Sequence, residues 1–247
     1  MENTKGIIEA IGLSKFYHKK EVLHIDRVTI RSGGITCVMG PSGAGKSTLL
    51  RIINMLEEPT AGDVYYFGQP TPTVTADRLM LQRRMTMVFQ KAALLDASVY
   101  ENIAFGLHAR RIPEEETRRR IMTALDTIGM SEQRSQRGKT LSAGEAQRVA
   151  FARAAVLQPE VLLLDEPTAN LDPANVELLE TMIRDLNCKH GTTILMVTHN
   201  LFQARRLAHD VLFLYQGQLL ESGSAQQVFN TPANEYTRSF VEGNMVY

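Results

Sequence analysis

The chain has little that would staple it covalently or place it in a bilayer. Only two cysteines occur in 247 residues. Cys37 and Cys188 lie far apart, with neither paired nor metal-ligand spacing, which argues against a disulfide framework and fits a reducing cytosol. Neither is a candidate for chemistry. The longest apolar runs, such as Val161 to Leu164 and Ile194 to Val197, fall far short of the roughly 20 residues a membrane-spanning helix needs, so the chain is not expected to cross a bilayer. Met1-Glu-Asn-Thr-Lys lacks the apolar stretch of a secretory signal, so export is not expected. Charge of one sign is also missing: 27 basic and 27 acidic residues give a formal net charge of +0, without the basic footprint of a general nucleic-acid binder. The one basic cluster, Arg118 to Arg120, follows Glu114 to Glu116 at i,i+4 and reads as a solvated helix face of paired charges. Internal repeats and low-complexity segments are absent.

A content of 44% hydrophobic and 22% charged residues suits a compact protein with one large core and a smaller lobe. The alternating stretches Ile7 to Leu13 and Leu23 to Ile30, and the apolar run Ile35 to Met39, read as strands. The pattern turns helical from Lys46 through Leu56, and the segment from Glu57 to Gly62 turns the chain into a strand at Val64 to Phe67. From about Lys91 to Pro159 helical signals follow one another without a strong strand. Here Ser98 with Glu101 predicts a capping box, and Pro113, three glutamates and Gly129 frame another helix. Alternation resumes with a strand at Val161 to Leu164, a helix at Pro173 to Asn187, a strand at Thr192 to Val197, a helix at Leu201 to Ala208 and a strand at Val211 to Tyr215. That order predicts a parallel sheet with crossover helices. Ser224 to Phe240 reads as short helices and leaves little room for a C-terminal regulatory domain.

Gly40, Pro41, Ser42, Gly43, Ala44, Gly45, Lys46, Ser47 and Thr48 satisfy G-x4-G-K-[ST] between a predicted strand and a predicted helix. Such glycines let backbone N–H groups turn inward around phosphate oxygens, and the helix adds its positive end. Lys46 is expected to reach the β- and γ-phosphates, and the Ser47 hydroxyl to ligate Mg²⁺. A glycine-rich turn ending by chance in Lys-Ser is the bland alternative, and the strand and helix around it count against that. A phosphate loop alone does not separate a kinase from a motor, a GTPase or a transport ATPase. Asp165 and Glu166 follow the apolar run Val161 to Leu164, at the strand end where a parallel sheet presents ligands. Asp165 suits Mg²⁺ held through water. Glu166, projecting differently because strand side chains alternate, suits an attacking water. Taken alone, this pair also reads as an acidic turn.

Leu141-Ser142-Ala143-Gly144-Glu145 stands shortly before that strand and continues as Ala-Gln-Arg-Val-Ala-Phe-Ala-Arg-Ala. Locally, Ser142 with Glu145 predicts a capping box at a helix start. With these motifs in this order, the sequence resembles the ABC ATPase family over nearly the whole chain. The resemblance implies an α/β fold, a P-loop NTPase of ABC type, with a mixed sheet core, an antiparallel β subdomain and an inserted helical subdomain. Residues 1–247 would form one ABC ATPase domain, with 1–90 and 160–247 as RecA-like core and β subdomain and 91–159 as the helical subdomain. ATP and Mg²⁺ are the implied ligands. Tyr17 would stack on adenine, although a tyrosine beside Phe16 otherwise reads as packing. Gln90 would sense Mg²⁺ and the γ-phosphate, His199 would contact the γ-phosphate, and Asn170-Leu171-Asp172 would cross a dimer interface. Ser142, Gly144 and Glu145 would face the ATP of the opposite subunit through a helix N-terminus. Catalysis is thus expected from Glu166, His199, Lys46 and Gln90, and metal binding from Ser47, Gln90 and Asp165. Two positions depart from the family pattern: Ala143 where glycine is usual, and Asn170 where serine is commoner.

The implied partners are a second copy in an ATP-sandwich homodimer, membrane permease subunits received at Gln90 to Glu101, and, indirectly, a periplasmic or extracellular substrate-binding protein. Nucleic acid is not expected. The implied location is peripheral, on the cytoplasmic face of the cell membrane. The run from Met87 to Leu107 is similar in texture to tungstate and related oxyanion importers, with polar amino-acid and phosphate importers as rivals. Soluble ABC ATPases of DNA repair, chromosome organisation and translation form a different class. The chain lacks the long heptad insertion, second cassette and basic stripe that would favour them.

Overall fold

The computed structural model describes residues 6–245. The N-terminal segment read for a secretory signal lies outside the described residues. Among the described residues ten strands form one sheet: β1 (Gly6–Tyr17), β2 (Lys20–Arg31), β3 (Ile35–Met39), β4 (Ala61–Tyr66), β5 (Gln69–Pro70), β6 (Met85–Val88), β7 (Val161–Asp165), β8 (Thr193–Val197), β9 (Asp210–Tyr215) and β10 (Gln218–Ser224). Their spatial order is β5-β4-β1-β2-β10-β9-β3-β8-β7-β6. From β6 to β9 every neighbour pair is parallel, whereas β9 with β10, β2 with β1, β1 with β4 and β4 with β5 are antiparallel. The result is the mixed α/β sheet of a P-loop NTPase.

The parallel half is buried on both faces, which is why β3, β7 and β8 read as unbroken apolar runs. Alternation still sorts their side chains. Cys37, Met39, Leu162, Leu164, Ile194 and Met196 join one core with the helices of one face, while Val38, Val161, Leu163, Leu195 and Val197 join a second core under β1, β2 and the first helix. Each fully buried leucine among them contributes about 1.5–3 kcal/mol. β2 alternates buried and exposed positions over much of its length, as a strand with one wet face does, whereas the alternation of β1 is broken where its register shifts.

The described helices are α1 (Lys46–Ile53), α2 (Thr75–Gln82), α3 (Val99–Ala109), α4 (Glu114–Thr127), α5 (Ala143–Ala155), α6 (Pro173–His190), α7 (Leu201–Leu207), α8 (Ala225–Asn230) and α9 (Glu235–Val241). Among the described residues, none is long and apolar enough to cross a membrane. Ser98 and Ser142 each complete a capping box, with Glu101 and Glu145. α1 stops at Ile53, short of the expected Leu56, because Asn54 caps it and Met55 adopts a left-handed φ of 55°. Four elements had no clear sequence signal: β5, α2, β6 and β10. β10 is polar and half-exposed along its length, and its pairing with β9 holds it as a strand.

Cys37 is wholly buried in β3, and burial pushes its thiol up to about 12. Cys188, on α6, is exposed. A thiol reagent followed by mass spectrometry should therefore label Cys188 alone in the native protein and both cysteines after denaturation; native labelling of Cys37 would contradict this packing.

Candidate active site

Four neighbouring parallel strands, β3, β8, β7 and β6, end at the same edge of the sheet, and the chain leaving each carries a candidate side chain. Gly40 follows β3 with a φ of 140°, and a Cβ there would stand 1.9 Å from the Leu214 carbonyl oxygen. Gly45, at a φ of 96°, caps α1, and its Cβ would meet the Val22 oxygen at 2.8 Å. Only glycine lets the loop lie this close to β9 and β2. Within the loop Lys46 is buried, and its Nζ donates to the carbonyls of Gly40 at 2.8 Å and Pro41 at 2.7 Å. Burial pushes the ammonium below the ordinary lysine range, while Glu166 and then Asp165 pull it back up. A buried ammonium whose hydrogen-bond partners are neutral carbonyl oxygens is prepared for an anionic ligand such as a phosphate.

Ser47 Oγ donates to Asp165 Oδ1 at 2.9 Å. Burial holds the Asp165 carboxyl above the usual carboxylate range, and the Ser47 hydrogen bond opposes this. The pair supplies hard oxygen donors of the kind Mg²⁺ prefers, so these residues fit that ion. Glu166 follows with a left-handed φ of 45°, a conformation that costs a non-glycine residue about 1–3 kcal/mol. Gln90 Nε2 donates to Glu166 Oε2 at 3.1 Å, and His199 Nδ1 lies 3.3 Å from the same oxygen. Gln90 is thus hydrogen-bonded to Glu166 rather than to the Ser47–Asp165 pair. His199 is largely exposed.

Tyr17, at the end of β1, is half-exposed beside α1. Its hydroxyl donates to Glu57 Oε2 and also meets the Thr48 hydroxyl; burial first, then Glu57, raise its pKa. Ser142, Gly144 and Glu145 open α5. The Ser142 N–H and hydroxyl reach Glu145 Oε2 at 2.8 and 2.7 Å, and the Glu145 N–H returns to Ser142 Oγ at 3.3 Å. These bonds lower the Glu145 pKa. No hydrogen bond joins residues 142–145 to residues 40–48 within this chain. Gly144 is packed so closely that a Cβ would stand 2.5 Å from Asn175 Nδ2, and Asn175 holds Asp172 through its N–H at 3.0 Å and its amide at 2.6 Å. Ala143 is the first residue of α5 and has no positive φ, so alanine fits without strain. Asn170 adopts a φ of 61°, a region asparagine enters more readily than serine.

Sequence reasoning missed Glu57, Asn175 and Gln203. Asn200 followed three residues later by Gln203 was a legible helix-start signal, and Asn200 Oδ1 does accept from the Gln203 N–H at 3.0 Å. Glu57 and Asn175 gave no local signal.

The family model described as ABC transporter matches residues 23–169. The tungstate uptake system ATP-binding protein TupC of Peptoclostridium acidaminophilum is 42% identical over 215 residues, which cover 87% of this chain and 97% of that protein. The phosphate import ATP-binding protein PstB 2 of Natronomonas pharaonis is 38% identical over 246 residues, 96% of this chain and 86% of that protein. A methionine import ATP-binding protein, MetN of Haemophilus ducreyi, is 35% identical over 239 residues, 95% of this chain and 70% of that protein. Among solved structures, a dimeric ATP-binding cassette in a post-hydrolysis state with ADP and Pi superposes with a TM-score of 0.80 at 30% identity, covering 88% of this chain and 98% of that one. The chain belongs to the ABC transporter family, as an ATP-binding and ATP-hydrolysing subunit.

The raised Asp165 pKa has a sign that can be tested. The fold holds the Asp165 proton more tightly than the unfolded chain does, so the stability linked to it is present below the ordinary carboxylate range and lost as pH rises through the raised value. At neutral pH the ionised group is a net cost. Asp165→Asn, which keeps an acceptor for Ser47, should raise the thermal midpoint of the nucleotide-free protein at neutral pH and shrink that advantage in acid; a lowered midpoint would count against the assignment.

Proposed function

We propose that this chain energises import through separate membrane permease subunits, working on the cytoplasmic face of the membrane as a pair that sandwiches ATP. The observation that carries this reading is the gathering of Lys46, Ser47, Asp165, Glu166, Gln90 and His199 at the ends of four adjacent parallel strands. Lys46 exchanges its two neutral carbonyl partners for phosphate oxygens, a gain from hydrogen bonds with only the donor charged to hydrogen bonds between opposite charges. Ser47, Asp165 and Gln90 would hold Mg²⁺, which when bound would neutralise charge on the phosphate oxygens. Glu166 accepts the proton of the attacking water. Its strained backbone fixes the carboxylate between Gln90 and His199, which orient it toward the γ-phosphate. Tyr17 receives the adenine.

In the closed pair, the α5 N-terminus, with Ser142, Gly144 and Glu145, faces the γ-phosphate held by the other copy, where the helix dipole and the first-turn N–H groups outside the Ser142–Glu145 capping box favour an anion. Glu145 is compatible with that anion because its carboxylate is turned back onto Ser142. The loop from Asn170 to Asp172 crosses between copies. Residues 91–159 move as the helical subdomain, and Gln90 to Glu101 receives the permease. ATP favours the closed pair and hydrolysis reopens it, which is a population shift coupled to transport. A substrate-binding protein outside the membrane delivers the cargo to the permease. For the cargo we favour tungstate or a related oxyanion, with phosphate and polar amino acids as the rivals.

Glu166→Gln should retain ATP, accumulate the closed dimer and lose about 10²- to 10⁴-fold in turnover, the usual contribution of a positioned base; Lys46→Ala should lose productive ATP binding. Undiminished turnover by Glu166→Gln would sink the assignment of the base. Co-purification with a membrane permease separates a transporter from a soluble ABC ATPase. For the cargo, elemental analysis of cells with and without the protein at trace tungstate and molybdate decides: a selective fall in either metal supports an oxyanion importer, and unchanged metals move the search to phosphate and amino acids.

A further inference from the structure

The two loops that bear Glu166 and His199 are tied to a single buried amide. Gln203, on α7, is 0% exposed. Its Oε1 accepts from Thr198 Oγ1 at 2.9 Å and from Thr168 Oγ1 at 3.1 Å, and its Nε2 lies 2.9 Å from Thr168 Oγ1 and donates to Glu180 Oε1 at 3.3 Å. Thr198 immediately precedes His199, and Thr168 stands two residues beyond Glu166. The His199 turn is closed further by the Asn200 N–H, which donates to Thr198 Oγ1 at 3.0 Å.

Behind the amide, Glu180 is buried on α6 and carries Arg206 on both carboxylate oxygens, at 2.8 and 2.6 Å, with Arg184 at 3.5 Å. That carboxylate is fixed and accepts only, so it orients the donor side of the amide and leaves Oε1 toward the threonines. Few side chains satisfy this arrangement. A carboxylate at position 203 would face Glu180, and an aliphatic one would strip partners from Thr168, Thr198 and Glu180 together.

We propose that Gln203 is a positioning residue for ATP hydrolysis, locking the Glu166 and His199 loops in one register through Thr168 and Thr198. This rests on the roles given above to Glu166 and His199. The clamp acts on geometry at the reacting phosphate and not on nucleotide binding, because none of its hydrogen bonds reaches residues 40–48.

The test uses the full chain, measuring MgATP turnover and nucleotide affinity for Thr168→Val, Thr198→Val, their double variant, Thr198→Ser and Gln203→Leu, with Glu166→Gln as reference. Each valine should lower kcat by about tenfold or more, the scale expected when a reacting group is misplaced. The affinity for ATP should stay within about twofold, because the phosphate loop is untouched. The double variant should be little worse than the poorer single one, and Thr198→Ser should restore the rate. Parental kcat in the folded valine variants, or strictly multiplicative losses in the double variant, would overturn the clamp while leaving the site reading intact. Undiminished turnover by Glu166→Gln would overturn both. Should Gln203→Leu fail to fold, the threonine series still decides the question.

Discussion

Within one copy, the phosphate loop and the acidic strand end depend on β3 staying in register between β8 and β9. Val38 sits opposite Val197, and Met39 opposite Phe213; on the far side of β8, Val197 is also level with Asp165 of β7. That ladder sets Asp165 level with Val38 and Val197, with Thr198 one residue and Gly40 two residues further toward the same edge. Because both faces are buried, a slip of one residue would drive each core's side chains into the other core. The two hydrophobic cores therefore specify the alignment of the phosphate loop with the acidic strand end as firmly as they specify the fold.

Against this rigid frame the site itself is unfavourable. Lys46 and Asp165 are charged groups in places that resist charge, and Glu166 is held in a backbone region non-glycine residues avoid. The two charge penalties are ones that a nucleotide with its metal would cancel, since phosphate oxygens would restore counter-charge to Lys46 and a cation would do the same for Asp165. Such a site is poised because its neighbours hold it there: the Glu166 N–H donates to the Val197 oxygen at 3.0 Å and anchors the strained residue to β8.

The parts of the fold that could be read in advance are those where local chemistry and tertiary context agree. β3, β7 and β8 announce themselves as apolar runs because they are sandwiched, and α3 and α5 announce their starts through Ser98 and Ser142. β6 and β10 were silent. The first is only four residues long, and the second is a polar ribbon that β9 recruits. In the site, residues within one motif were legible, while those whose role arises from contacts between distant segments were not. Glu57 meets Tyr17 across 40 positions, and Gln203 meets Thr168 across 35. No periodicity or spacing records such meetings.

The close approach of Gly144 to Asn175 has a consequence of another kind. The start of α5 and the start of α6 share one small volume, filled from one side by the absence of a side chain and from the other by an amide already committed to Asp172. A methyl group gained at 144 would force the Asn175 amide to shift, and with it the grip on Asp172. Two stretches that look like separate motifs along the chain are thus one packing unit, in which a change at either start is felt at the other.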